Sequence, residues 1–190
     1  MTMPNVILDV DDFAENPGNS TDCLEALIEQ KQKFFNFKVT LFGIPRFLGK
    51  DNSLFFHRVL EQYGDWIEIG LHGWEHTQNE CANWTRKEAV EKIDRAYKMG
   101  CFVPGFKAPN FIINEETIYA LDYCGIWLAD HSVINPIPQT RVRSYLIPHP
   151  WSVHCHSWEA HNGILKTIEK KLWDQDTKFH FISDVIKGQE

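Results

Sequence analysis

Apolar positions along the chain switch between a period of two and a period of three to four, and the switches mark its elements. Val6-Ile-Leu8 is a short, wholly apolar run and predicts a buried strand. From Thr21 to Phe35, Leu24, Leu27, Ile28 and Phe34 fall on one helical face, with Ser20 or Thr21 as the N-cap. Lys38–Gly43 (KVTLFG) predicts a second strand. Ser53–Tyr63 predicts a helix stopped by Gly64, and Trp66–Leu71 (WIEIGL) a third strand. Thr85-Arg-Lys-Glu88 is a capping box that opens a helix to Met99, before Gly100. Phe102–Phe106, Asn114–Cys124 and Ile126–Ala129 then predict strand, helix and strand. After a Pro-rich loop to about Ser144, the segments Tyr145–Ile147, Trp151–His156 and Lys178–Ile182 predict strands, with a helix over Gly163–Trp173 before the last.

Repeated strand–helix units predict an α/β fold with a parallel sheet or barrel and helices outside, in which chemistry gathers at the C-terminal ends of the strands. Nothing in the 190 residues marks a linker, a repeat or a low-complexity segment, so one domain over residues 1–190 is expected.

The first strand raises a chemical question, because it runs into Asp9, Asp11 and Asp12. Adjacent carboxylates repel, and burying them unpaired costs about 2–7 kcal/mol or more each. Either water solvates them in an exposed turn or a cation sits among them. His72 and His76 follow the third strand at a spacing of four, close enough to reach one ion. Asp12 with His72 and His76 makes a three-ligand set with a position left for water, as in catalytic zinc sites. Lys107, followed by a Pro-fixed turn, can place a cation beside a carboxylate. His154 and His156 share one face of a strand and are candidate acid–base groups. Trp74 and Trp158 are candidates for a sugar-stacking platform, or for packing.

The bulk composition narrows the partners. A formal net charge of −7 disfavours phosphate backbones and anionic membrane surfaces, so neither nucleic acid nor membrane is expected as a partner. Five scattered Cys without a CxxC pair fit reduced thiols. The N-terminal MTMPNVILDVDDF has no basic leader, and no apolar run approaches membrane-spanning length, so a cytoplasmic location is expected.

Taken in order, these motifs resemble the polysaccharide deacetylases, the NodB-homology domain of carbohydrate esterase family 4. Asp9-Val-Asp-Asp-Phe13 resembles the first motif, TFDDG, and His72-Gly-Trp-Glu-His76 the second, HSxxH. Lys107-Ala-Pro-Asn110 resembles RxPY. Trp127-Leu-Ala-Asp130 resembles the fourth motif and Val153-His-Cys-His156 the fifth. The resemblance spans roughly residues 5 to 185. It implies a distorted (β/α)7-type barrel and a metal-dependent removal of an N-acetyl or related acyl group from an amino sugar or oligosaccharide. It implies Asp11 as general base, Asp12, His72 and His76 as metal ligands, and zinc as the default ion, with cobalt or nickel suiting the same donors. The backbone N–H of Asn110 would hold the oxyanion, His154 or His156 would protonate the leaving amine, Asp130 would orient that His, and Trp127 would line the acyl pocket. The sequence departs from the motifs at Phe13 for Gly, Lys107 for Arg and Asn110 for Tyr. Two other readings stand beside this one: a metal- or saccharide-binding protein without catalysis, and a zinc peptidase, because His72–His76 is also H-x-x-E-H.

Overall fold

The computed structural model describes residues 5–16, 20–130, 144–146, 152–169 and 177–188. In chain order the elements are β1 (Asn5–Phe13), α1 (Ser20–Lys33), β2 (Val39–Gly43), β3 (Arg46–Phe47), β4 (Lys50–Asp51), α2 (Ser53–Tyr63) and β5 (Ile67–His72). They continue with α3 (Glu80–Asn83), α4 (Arg86–Tyr97), β6 (Gly105–Lys107), a 3-10 turn (Pro109–Phe111), α5 (Glu115–Cys124), β7 (Trp127–Asp130) and β8 (Ser144–Leu146). The last are β9 (Ser152–His156), α6 (His161–Glu169), β10 (Lys178–His180) and α7 (Ile182–Lys187).

The main sheet runs β10-β1-β2-β5-β6-β7-β8, with β9 also paired to β1, and every ladder in it is parallel. Among the described residues β8 and β9 share no ladder, so the sheet curls into an open barrel of the (β/α)7 type. Among the described residues only β3 and β4 pair antiparallel, as a two-stranded ribbon.

Strict alternation along the strands sorts side chains between two environments. Leu8 and Val10 of β1, Val39 and Leu41 of β2, Ile67 and Ile69 of β5, and Val153 and Cys155 of β9 face outward into a core with α1, α2 and α6. Leu71, Phe106 and Leu128 do the same against α4 and α5. The alternate residues line the barrel interior: Ile7, Phe42, Trp127 and Ala129 form an apolar plug with Ile182 and Ile186 of α7. Room for the two large rings comes from glycines. A Cβ at Gly70 would lie 2.8 Å from the Phe42 ring, and one at Gly105 would lie 2.0 Å from the Trp127 indole.

Three sequence expectations change. β1 continues through the acids to Phe13 instead of ending at Leu8, so Asp9 and Asp11 lie inside the barrel and not in an exposed turn. Lys178–Ile182 splits into β10 and α7, which tucks Ile182 into the plug. Glu80–Asn83 adds a short helix the pattern did not mark. The long loop predicted after Ala129 lies outside the described residues.

Because Trp127 fills the space above Gly105, Gly105→Ala is expected to destabilise the protein by about 1–3 kcal/mol through overpacking. A lowered urea midpoint at unchanged slope, with altered tryptophan emission, would report it.

Candidate active site

The inward-facing residues at the C-terminal ends of β1, β5, β6 and β9 converge above the apolar plug. Asp9 and Asp11 come from β1, His72 from β5, Lys107 from β6, and His154 and His156 from β9. Register brings them level: Asp9 pairs with His154, Asp11 with His156, and His72 with Lys107. Phe42 is the floor, its ring 6.4 Å from His72 and 5.0 Å from the Lys107 ammonium. Trp127 stands edge-on to it at 6.2 Å.

Lys107 is fully buried, and its Nζ lies 2.5 Å from Asp9 Oδ2 and 2.8 Å from Asp11 Oδ1. The cation among the first-strand acids is therefore, for Asp9 and Asp11, an ammonium of the chain itself. Burial alone would push Lys107 down and Asp9 up. The mutual attraction overcomes it, holding Lys107 above its usual range, with Asp11 and Asp9 as the cause, and Asp9 well below the carboxylate range, with Lys107 and then His154 as the cause. Asp9 Oδ2 also meets His154 Nδ1 at 2.7 Å, and His154 Nε2 lies 3.8 Å from Asp11 Oδ2. Sequence reasoning left Asp9 out of the site. The available signal was its period-two spacing with Ile7 and Asp11.

Asp12 turns the other way. Its φ of 61° puts it in the left-handed region, where Ser157 Oγ donates to its carbonyl at 2.6 Å. Its Oδ1 lies 3.1 Å from His72 Nε2 and 2.7 Å from His76 Nε2, while its Oδ2 accepts from Trp158 Nε1 at 2.7 Å. Desolvation opposes the charged form of Asp12, but hydrogen bonds from His72 and His76 hold it well below the usual carboxylate range. His76 is raised against its own burial by Asp12.

This donor set suits a divalent cation. His72 Nδ1 lies 2.9 Å from the carbonyl of Lys107, an acceptor, so Nδ1 carries a proton. In the neutral ring Nε2 then presents a lone pair to a carboxylate oxygen, two acceptors face to face. A second proton or a shared cation must lie between them. Ligands of a tetrahedral zinc with bonds of about 2.0–2.1 Å stand roughly 3.4 Å apart, so the observed spacings need only a slight opening. Asp11, His154 and His156 also bring one donor each within 4.8 Å of one another. There the Lys107 ammonium already sits on Asp11, so that trio fits an added ion less well.

The loop bearing His76 is clamped by a residue the motif does not contain. Buried Glu80 accepts the backbone N–H groups of Trp74, Glu75 and His76 at 2.9, 3.1 and 3.0 Å. Its Oε1 would lie 1.9 Å from any Cβ at Gly73, where φ is +62°. Gly73 and Glu80 thus form one device, and residues 73–79 form no helix. Glu75 lies near Arg46 at 3.7 Å on the surface. The H-x-x-E-H geometry of a zinc peptidase, which needs both His and the Glu on one helical face, is absent.

A cleft of about 280 Å³ opens over this arrangement, lined by Asp11, Asp12, His72, His76, His156 and Trp158, with Asn110 and Phe111 at its edge. It adjoins a second hollow of about 250 Å³ that shares Asp12, His76 and Trp158 and reaches Ile44 and Phe47. Exposed Trp158 stacks on His156, with centroids 4.9 Å apart. Phe111, which sequence reasoning passed over, stands edge-on to His154 at 6.1 Å. Asn110 occupies the 3-10 turn with φ 55°.

Two sequence assignments are corrected. Trp127 is only 2% exposed and packs against Phe42, in the plug and not in the cleft wall, because its position on β7 pairs with Gly105, one inward layer below Lys107. Trp74 packs outside the barrel among Leu71, Cys81 and Trp84, with Arg95 over its ring at 5.0 Å, so it offers no sugar platform. Asp130 ends β7, and its side chain lies outside the described residues. The five cysteines are free thiols. Among the described residues no helix is long and apolar enough to cross a membrane.

No family model and no curated protein matches the sequence. Solved structures do match the fold. The carbohydrate esterase family 4 domain of a multidomain xylanase from the hindgut metagenome of Trinervitermes trinervoides aligns with a TM-score of 0.65 at 12% identity, over 99% of this chain and 92% of that one. A family 4 acetyl xylan esterase from Clostridium thermocellum, in complex with a cobalt ion, aligns at 0.58 and 16% identity, over 97% and 91%. A pseudoenzyme of the same family from Bacillus anthracis aligns at 0.66 and 18%, over 97% of this chain and 66% of that one. The chain has the NodB-like fold of the carbohydrate esterase family 4 deacetylases and esterases.

Proposed function

We propose that the protein is a metal-dependent hydrolase that removes an N-acetyl or related acyl group from an amino sugar or a short saccharide. The observation that carries the reading is the juxtaposition of two charge systems in one cleft. Asp12, His72 and His76 offer three donors, and next to them Asp11 stands as a carboxylate clamped by a buried ammonium. The solved structures of the same fold include esterases and a chitin deacetylase, which supports the reaction class.

A divalent ion held by Asp12, His72 and His76, zinc by default, would polarise an acyl oxygen and lower the pKa of water. The chain supplies the rest. Asp11 is the general base, with one oxygen held by Lys107. His154 is the general acid for the leaving nitrogen, and Asn110 N–H is an oxyanion donor. Trp158 is the sugar platform: its ring is exposed on one face, stacked on His156 on the other, and tied to Asp12 by its N–H. Each hollow falls below the roughly 300–1,000 Å³ of drug-sized ligand pockets, a size that suits one sugar ring in each.

Several measurements test this reading. Asp11→Asn is expected to keep zinc, because it removes a base and not a ligand, while acetate release from N-acetylated saccharides falls by about 10²–10⁴-fold. His76→Ala is expected to lose zinc affinity by more than about 100-fold by calorimetry, since it removes a ligand outright. Zinc held at wild-type affinity by His76→Ala would place the ion elsewhere. Glu80→Ala, which frees three backbone N–H groups of the His76 loop, is expected to weaken zinc about 10–100-fold. A zinc-loaded protein that releases no acetate from N-acetylated mono- or oligosaccharides would point instead to binding without catalysis.

A further inference from the structure

We infer that Asp9 is the positioning residue for His154, taking the one proton on its Nδ1 and turning Nε2 toward Asp11. The inference rests on the hydrolase reading for its role in turnover, but its geometry stands apart from it.

The contact distances decide the tautomer. Among the described residues, Asp9 Oδ2 lies 2.7 Å from His154 Nδ1 and Lys107 Nζ lies 3.3 Å from it. The carboxylate is an acceptor only, and the ammonium a donor only. If Nδ1 carried a lone pair, it would confront a carboxylate oxygen at the shorter distance and accept from the ammonium at the longer one. The nearer group wins, so Nδ1 carries hydrogen and donates to Asp9. Asp9 is wholly buried, beyond the reach of competing water. Its ionised form is secured by Lys107, which lies on the same oxygen at 2.5 Å. The remaining ring nitrogen, Nε2, then lies 3.8 Å from Asp11 Oδ2. This is the arrangement in which a buried carboxylate holds an imidazole in one tautomer and stabilises its protonated form.

One Nδ1 proton serves one carboxylate. The orienting role that the motif resemblance gives to Asp130 is assigned by this inference to Asp9 of β1, at the motif position of a Thr. His156 has a different environment. Its Nδ1 lies 3.4 Å from Glu159 Oε1, and its ring stacks under Trp158. Of the two histidines, His154 is the one built into a dyad. Charge agrees with geometry: an imidazolium at His154 faces the ionised carboxylate of Asp9. Burial opposes that imidazolium, but Asp9 outweighs it, so His154 is raised from its usual range.

The test is nuclear magnetic resonance on protein carrying ¹⁵N-labelled histidine, alongside kinetics. An imidazole N–H bonded to a buried carboxylate resonates far downfield of the ordinary range, and here its loss in His154→Gln assigns the signal. Asp9→Asn is expected to move that resonance upfield, and Asp130→Asn to leave it in place. On an N-acetylated saccharide, Asp9→Asn is expected to lower kcat by about 10²-fold or more with KM unchanged. The inference is overturned if the resonance is unmoved in Asp9→Asn, if Asp130→Asn abolishes it, or if the resonance moves while kcat does not. Should Asp9→Asn fail to fold because Lys107 loses a partner, Asp130→Asn decides: a retained signal upholds Asp9 and a lost one overturns it. A wild-type protein that shows the Asp9-dependent resonance yet releases no acetate upholds the positioning of His154 and removes the hydrolase reading alone.

Discussion

The buried ammonium of Lys107 is the constraint on which the site depends. Two carboxylates on one inward face of β1 would repel each other and, dehydrated, would each neutralise by taking up a proton. One compact cation between them, at 2.5 and 2.8 Å, offsets that repulsion inside the barrel. Such a pair adds little net stability, because desolvation offsets attraction, but removing one partner leaves an uncompensated charge, at a cost of about 3–5 kcal/mol. The arrangement is therefore better understood as fixing the polar cluster at the strand ends than as holding the fold together. The fold is held by the helices packed outside the sheet and by the plug of Phe42, Trp127 and Ile182 inside it.

The plug and the charge cluster are stacked layers of the same interior. Alternation along each strand sends every second residue inward, so the only variable is height along the barrel. Gly70 and Gly105 give up side chains at the level where Phe42 and Trp127 need space, and one step higher His72 and Lys107 take the same inward direction. The electrostatic site thus stands on an apolar floor. That floor excludes water from beneath Lys107 and strengthens each ion pair above it.

This layering explains what was legible in the sequence. The motif residues Asp11, Asp12, His72, His76, Lys107 and His154 come together because five of them lie toward strand C-termini, which meet, and His76 lies in the loop that leaves β5. Asp9 was missed for a local reason. Acids are depleted in strands, so the strand was stopped at Leu8 and the inward face of its continuation was not counted. Trp127 was misplaced because a motif gives position along the chain but not depth in the barrel, and depth comes from ladder register with Gly105. Trp74 follows His72 closely, yet the turn at Gly73 swings it outside. The Glu80 clamp was invisible because nothing in a single Glu shows that three backbone N–H groups will meet it.

Two departures from the family motifs become one change. At the first motif Asp9 stands where Thr is typical, and at the third Lys107 stands where Arg is typical. Taken singly, Lys for Arg forfeits the bidentate fork that grips a carboxylate. Here the cation has two carboxylates to serve, on side chains two residues apart. It also lies between the rings of Phe42 and Phe111, at 5.0 and 5.3 Å. A point charge fits that enclosure and divides between Asp9 and Asp11. The second carboxylate in turn has an oxygen to share, and His154 uses it. The exchange at position 107 therefore makes sense only with the acid at position 9. Together they place the carboxylate that meets His154 Nδ1 on β1, the strand that also carries Asp11 and Asp12.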